Sequence, residues 1–236
     1  MEASDLMVFN DNERCISPKW KLDTLKQAGN RAHAAAYLTD FWEGWIAAPM
    51  NGPGAHGGWA QLTLASLAVE AAAQFWRPTT TWKGVTWTSP SKSQPSQLIK
   101  SGELASEASF CFMFCEIFAG HEPKSLSRDR LAEVVYKVFS CGLAHRGLSK
   151  NCLKTKWLGV IDGQGIIFKD LSHTDALGNT KCVLSIDPCA FAEQVDTWFH
   201  TAVLEPLASG GSGDIDAAFK EWCEQRWEKS AKEWSF

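Results

Sequence analysis

The chain has no surplus of positive charge, no apolar run long enough to cross a bilayer and no C-x-x-C cysteine pair. Its net charge is −4 over 236 residues, with a pI near 5.9. Non-specific binding to duplex DNA needs a broad basic surface, so that function class is not expected. The longest apolar run, around Phe110 to Ala119, is too short for a transmembrane helix and is interrupted by Glu116. No C-x-x-C pair occurs among the eight cysteines, and four of them (Cys111, Cys115, Cys141 and Cys223) fall in helical patterns. The expectation is reduced thiols acting as small apolar residues in a cytoplasmic protein, not a disulfide framework. The opening residues lack a basic start followed by an apolar stretch and do not read as a signal peptide.

What is present is an ordinary globular composition with an unusual aromatic load. Apolar residues make up 45% and charged residues 21%, which argues against wholesale disorder. Twelve Trp and thirteen Phe, against two Tyr, need wide helix-packing surfaces or a subunit interface to cover them.

Periodicity predicts a mainly α fold: a bundle of five to six helices with a small antiparallel β-meander inserted after the fourth. Residues 1–25 read as a polar arm. A first helix is expected over 31–50, stopped by Asn51-Gly52-Pro53-Gly54. The second, 59–76, places Leu64, Leu67, Ala68, Ala71, Ala72 and Phe75 on one face and ends before Pro78. Segment 78–97 reads as a loop or an irregular strand pair. The third helix, 103–118, is apolar on more than one side and should be the most buried. A fourth is expected over 127–144, with Ser125 or Ser127 as N-cap. Three β-prone runs between 157 and 187 form the meander. A fifth helix starts near Pro188. Ser209-Gly210-Gly211-Ser212-Gly213 reads as a flexible linker, and 214–234 as a last helix. The helical domain then spans 26–208, and 214–236 packs on it.

The chemistry-bearing stretch is the end of the fourth helix. His145 lies seven residues after Val138, close to the packing face, and Arg146, Lys150, Asn151 and Lys154 follow at once. An imidazole beside fixed cations can shuttle a proton while the cations hold a phosphodiester. The same histidine can instead serve only as a cap or dipole partner at a helix C-terminus.

The decamer Tyr136-Lys137-Val138-Phe139-Ser140-Cys141-Gly142-Leu143-Ala144-His145 resembles the segment that ends a long helix in HEPN-like proteins, the higher eukaryote and prokaryote nucleotide-binding superfamily. The similarity extends thinly over about residues 36 to 225. It implies a metal-independent ribonuclease built from an arginine and a histidine four to six residues apart, at a homodimer interface, in a defence or toxin–antitoxin system. His145 carries over. The arginine would fall at Ser140, Phe139 or Val138, and none of these is arginine. Arg146 adjoins His145, but neighbouring side chains on a helix point about 100° apart.

Two outcomes stay open. One is an RNA-directed enzyme with His145 and Arg146 as its catalytic pair and Lys150, Asn151 and Lys154 on phosphate. The other is a catalytically inactive dimeric module that binds RNA, a nucleotide or a protein partner. Neither requires a cofactor, a metal or a membrane.

Other constellations are weaker. Cys111 and Cys115 share a helix face and suit either a metal or the core. His121-Glu122 and His173-x-Asp175 are loop pairs suited to a metal or to solvent. Glu70 is placed to orient a group across the bundle or to form a surface ion pair. Gly52 to Gly58 precedes a helix but lacks the remainder of a phosphate loop. Trp82 and Trp87, with Lys83 and Lys92, suit base stacking or packing of their loop.

Overall fold

The computed structural model describes residues 14–52, 58–75, 81–86, 102–143, 158–160, 165–174, 176–211 and 213–236. The fold is mainly helical with small β elements. Chain contacts divide it into two compact units, 1–48 with 200–236, and 49–199. The first is discontinuous in sequence, which a reading of composition along the chain does not reveal.

The larger unit is organised around its most apolar helix. Helices α1 (Leu22–Gln27), α2 (Arg31–Phe41) and α3 (Ala48–Asn51) precede it, followed by α4 (Gly58–Phe75), the two-residue strands β1 (Thr81–Trp82) and β2 (Val85–Thr86), and α5 (Gly102–Ile117). Phe110, Cys111, Phe112, Met113, Phe114 and Cys115 in α5 are each exposed by 1% or less. Six consecutive buried residues leave no solvent face along that stretch, as the sequence predicts. Helix α5 touches α4, β1, α6 (Arg128–Val135) and α7 (Pro188–Phe199).

Helix α4 forms where expected, but its buried face differs. Leu62, Ala65, Ser66, Ala68, Val69, Ala72 and Ala73 are buried, whereas Leu67 is exposed and Leu64 half-buried. The face is dominated by small residues, which let α4 approach α5 and α7 closely and leave the larger leucines towards the rim.

Ser127 is the N-cap of α6, its hydroxyl accepting from the Arg130 N–H at 3.4 Å. The helix then widens into a π-helical stretch, Tyr136–Leu143. Two further π stretches, Trp42–Ala47 and His200–Leu204, stand just before Pro49 and Pro206. A proline inside a helix removes one i→i−4 hydrogen bond and crowds the carbonyl four residues back, and a wider turn upstream accommodates both effects.

Strands β1 and β2 form a hairpin whose turn residues Lys83 and Gly84 have φ of 51° and 71°. Two positive φ values match the twist of the flanking strands. Strands β4 (Phe168–Thr174) and β5 (Thr180–Ile186) pair antiparallel, in the register Phe168 with Ile186 through Thr174 with Thr180. Strand β3 (Leu158–Val160) departs from a meander. It lies on the far side of β5 and parallel to it, giving the order β3-β5-β4. Phe168 seats the sheet against Phe114, Phe118 and Phe191, at ring separations of 5.8, 5.4 and 6.0 Å.

Asp187 joins sheet to helix. Its Oδ1 accepts from the N–H groups of Cys189 and Ala190 at 3.0 and 3.1 Å, and its Oδ2 from Gly165 at 3.0 Å. Pro188 follows at the first position of α7, where a missing N–H costs nothing.

In the other unit, Arg31 forks onto both oxygens of Asp216, each at 2.6 Å, and donates to the Leu207 carbonyl at 2.9 Å. The expected linker is structured at its start. Ser209 ends α8 (Glu205–Ser209), and Gly210, at φ 76°, is its left-handed cap, with both Gly210 and Gly211 donating to the Pro206 carbonyl. Gly213 already opens α9 (Gly213–Trp227). That helix stops short of the expected 234. Glu228 adopts φ 55°, and Lys229 turns inward to donate to the Lys26 carbonyl at 2.9 Å, its ammonium 4.7 Å from the Trp234 ring.

Replacing Asp187 with alanine removes three acceptor contacts from a residue that is 1% exposed. The expected cost is about 2 kcal/mol, read as a lower urea midpoint, with Asp187→Asn losing less.

Candidate functional site

The five residues expected to carry chemistry, His145, Arg146, Lys150, Asn151 and Lys154, lie outside the described residues, as do Trp87, Lys92 and Asp175. The helix that leads to them is described as far as Leu143. It decides what stands at the three positions where the motif arginine would fall. Val138 is 3% exposed, and Phe139 and Ser140 are fully buried. Phe139 packs against Trp59 at 5.5 Å between ring centroids. The Ser140 hydroxyl donates to Oε1 of Glu70, across from α4. Glu70 is half-buried and engaged with the π-helical stretch, so it is neither a surface ion pair nor free to steer another group.

Around the same helix lies a charged collar that sequence reasoning missed. Glu133 is 6% exposed and accepts from the ammonium of Lys83 and from Arg130 Nη1 at 2.7 Å. The Lys83 backbone N–H donates to Asp129 Oδ2 at 3.1 Å, so the β1–β2 turn is pinned to α6 at two points. Lys137 lies 3.6 Å from Glu107 of α5. Hydrogen bonding to Lys83, helped by Arg130, holds the Glu133 carboxyl below the usual carboxylate range despite its burial. The same bond to Glu133 raises Lys83. A signal for this was present: Glu133 sits between Ala132 and Val135 on the packed side of α6, where a carboxylate needs a partner.

The cysteine pair is accounted for by packing. Burial pushes the Cys115 thiol up to about 12, with the Asp129 carboxylate adding to the effect, and it raises Cys111 as well. Thiols held protonated at neutral pH are poor metal ligands. Among the described residues no cluster of three or more His, Cys, Asp or Glu side chains could hold a metal ion.

His121 and Glu122 open instead onto a cleft of about 560 Å³, lined also by Ile166, Glu193, Gln194 and Thr197. Glu122 is paired with Arg128 at 3.5 Å, and Gln194 donates to the Ile117 carbonyl at the end of α5. Two residues of its polar wall, Glu122 and Gln194, are therefore committed to holding the fold.

No family model, curated protein or solved structure matches the chain. The residues themselves carry the functional argument. Among the described residues no helix is long and apolar enough to cross a membrane.

The collar predicts a pH dependence with a definite sign. A carboxyl depressed in the folded state stabilises fully above its unfolded value, about 4.3, and that stabilisation disappears as pH falls through the folded value. The wild type should exceed Glu133→Gln in urea midpoint by a constant margin from pH 6 to 8. The margin should close in strongly acidic buffer; one that persists there would remove the ion pairs as its cause.

Proposed function

We propose that the chain is a catalytically inactive HEPN-like module that binds a partner, rather than a ribonuclease. One observation carries this reading: the Ser140 hydroxyl is buried against the Glu70 carboxylate. Phosphodiester cleavage by an arginine–histidine pair needs a fixed cation to neutralise the developing charge beside the proton shuttle. A carboxylate bound to a buried hydroxyl supplies charge of the opposite sign. The two remaining candidate positions, Val138 and Phe139, are apolar and turned into the core. Arg146 follows His145 directly, and its direction on a helix differs by about 100°.

The resemblance also supports a homodimer, with RNA, a nucleotide or a protein as the bound partner. His145, Lys150, Asn151 and Lys154 then act as contacts rather than as a catalytic set.

Purified protein incubated with tRNA or total RNA, with and without EDTA, should leave the RNA intact, and so should His145→Ala. Cleavage that persists in EDTA and is lost in His145→Ala would overturn the proposal and restore the ribonuclease. Sedimentation velocity provides the second readout, with a dimer expected at micromolar concentration.

A further inference from the structure

The unit formed by 14–48 and 200–236 carries a run of aromatic rings and guanidinium groups that packing alone does not explain. Trp45 is 42% exposed and meets Phe41 edge to face at 5.8 Å. Arg226, exposed on α9, holds its guanidinium 6.0 Å from the Phe41 centroid, 5.7 Å from Trp222 and 5.6 Å from Trp227. Arg14, also exposed, lies 5.6 Å from the same Trp227 ring. The order along this surface is Trp45, Phe41, Arg226, Trp227, Arg14.

Two like charges share one indole and can be no farther apart than twice their distance to it. Among the described residues neither is paired with a carboxylate. The nearby Asp40 is taken up by Ser17 and Lys19. A ring holds a guanidinium by its face but does not neutralise it. Their donors are left to solvent or to a bound anion, and planar, donor-rich groups suit phosphate oxygens.

We propose that this surface binds single-stranded nucleic acid, with phosphodiester groups on Arg14 and Arg226 and a base stacked on Trp45. An exposed indole at one end and, at the other, two guanidiniums with no carboxylate partner among the described residues offer a strand both a stacking face for a base and donors for its phosphates. A duplex keeps its bases stacked on each other and offers nothing to Trp45. An acidic peptide supplies the charge but no ring. This inference does not depend on the HEPN-like reading, and its residues lie outside the helix that ends at His145.

The test uses the full chain and fluorescence anisotropy with labelled twelve-residue oligo-U, oligo-dT, a duplex of equal charge, and polyglutamate. Both single strands should bind in low salt, at least about tenfold tighter than the duplex. Arg14→Gln with Arg226→Gln should weaken binding at least tenfold and lower the log–log salt slope by about 1.4, the value for two phosphate contacts on a single strand. Trp45→Ala should cost roughly tenfold with the salt slope unchanged.

The paired change to lysine separates charge from lost packing, since it should keep the slope while weakening the affinity. Thermal melts establish that each variant is folded. No binding by the wild type, equal binding by the glutamine pair, or equal affinity for duplex or polyglutamate each overturns the proposal. The HEPN-like reading fails on cleavage that is lost in His145→Ala, and this one fails on equal binding by the glutamine pair, so the two failures are separately visible.

Discussion

Helix α5 has no wet side over Phe110–Cys115, and that constraint organises the larger unit. A helix apolar all round must be enclosed, and enclosure requires several partners at once. Small residues on α4 allow one flank to come close. Helices α6 and α7 take other flanks, and Phe168 brings the sheet onto the phenylalanines near the end of α5. Asp187 then couples sheet to helix, because a single carboxylate satisfies both the α7 N-terminus and the Gly165 N–H ahead of β4.

The same enclosure fixes the end of the helix that begins at Arg128. The π-helical continuation of α6 packs against α4 and α5, and Val138, Phe139 and Ser140 are all captured. A buried hydroxyl without a partner costs about 1–3 kcal/mol, and Glu70 provides that partner for Ser140. None of these three positions carries a cation. Charges are instead spent on the collar, where Lys83 and Arg130 make the burial of Glu133 tolerable and fasten the β1–β2 turn to α6.

The smaller unit uses its charges differently. Arg31 with Asp216 is a saturated, forked pair, and Lys229 is sealed against a carbonyl and an indole. Arg14 and Arg226 rest on rings at the surface. That contrast separates cations held by oxygen acceptors from ones that, among the described residues, meet only rings.

By itself the sequence determined that the protein is mainly helical, where α4 and α5 run, that α6 starts at Ser125 or Ser127 and that α7 begins near Pro188. These follow from local rules: apolar spacing, caps and proline positions act over a few residues and need no distant partner. It also shows that none of Val138, Phe139 and Ser140 is an arginine. Only the tertiary structure decided the buried face of α4, the parallel placement of β3, the ordered cap at Gly210, and the pairings of Ser140 with Glu70 and of Lys83 with Glu133. Each of these depends on which surface a remote segment presents. A hydroxyl or carboxylate has no preferred partner in sequence, because its energy is set by burial and by whichever group the fold brings within hydrogen-bonding distance.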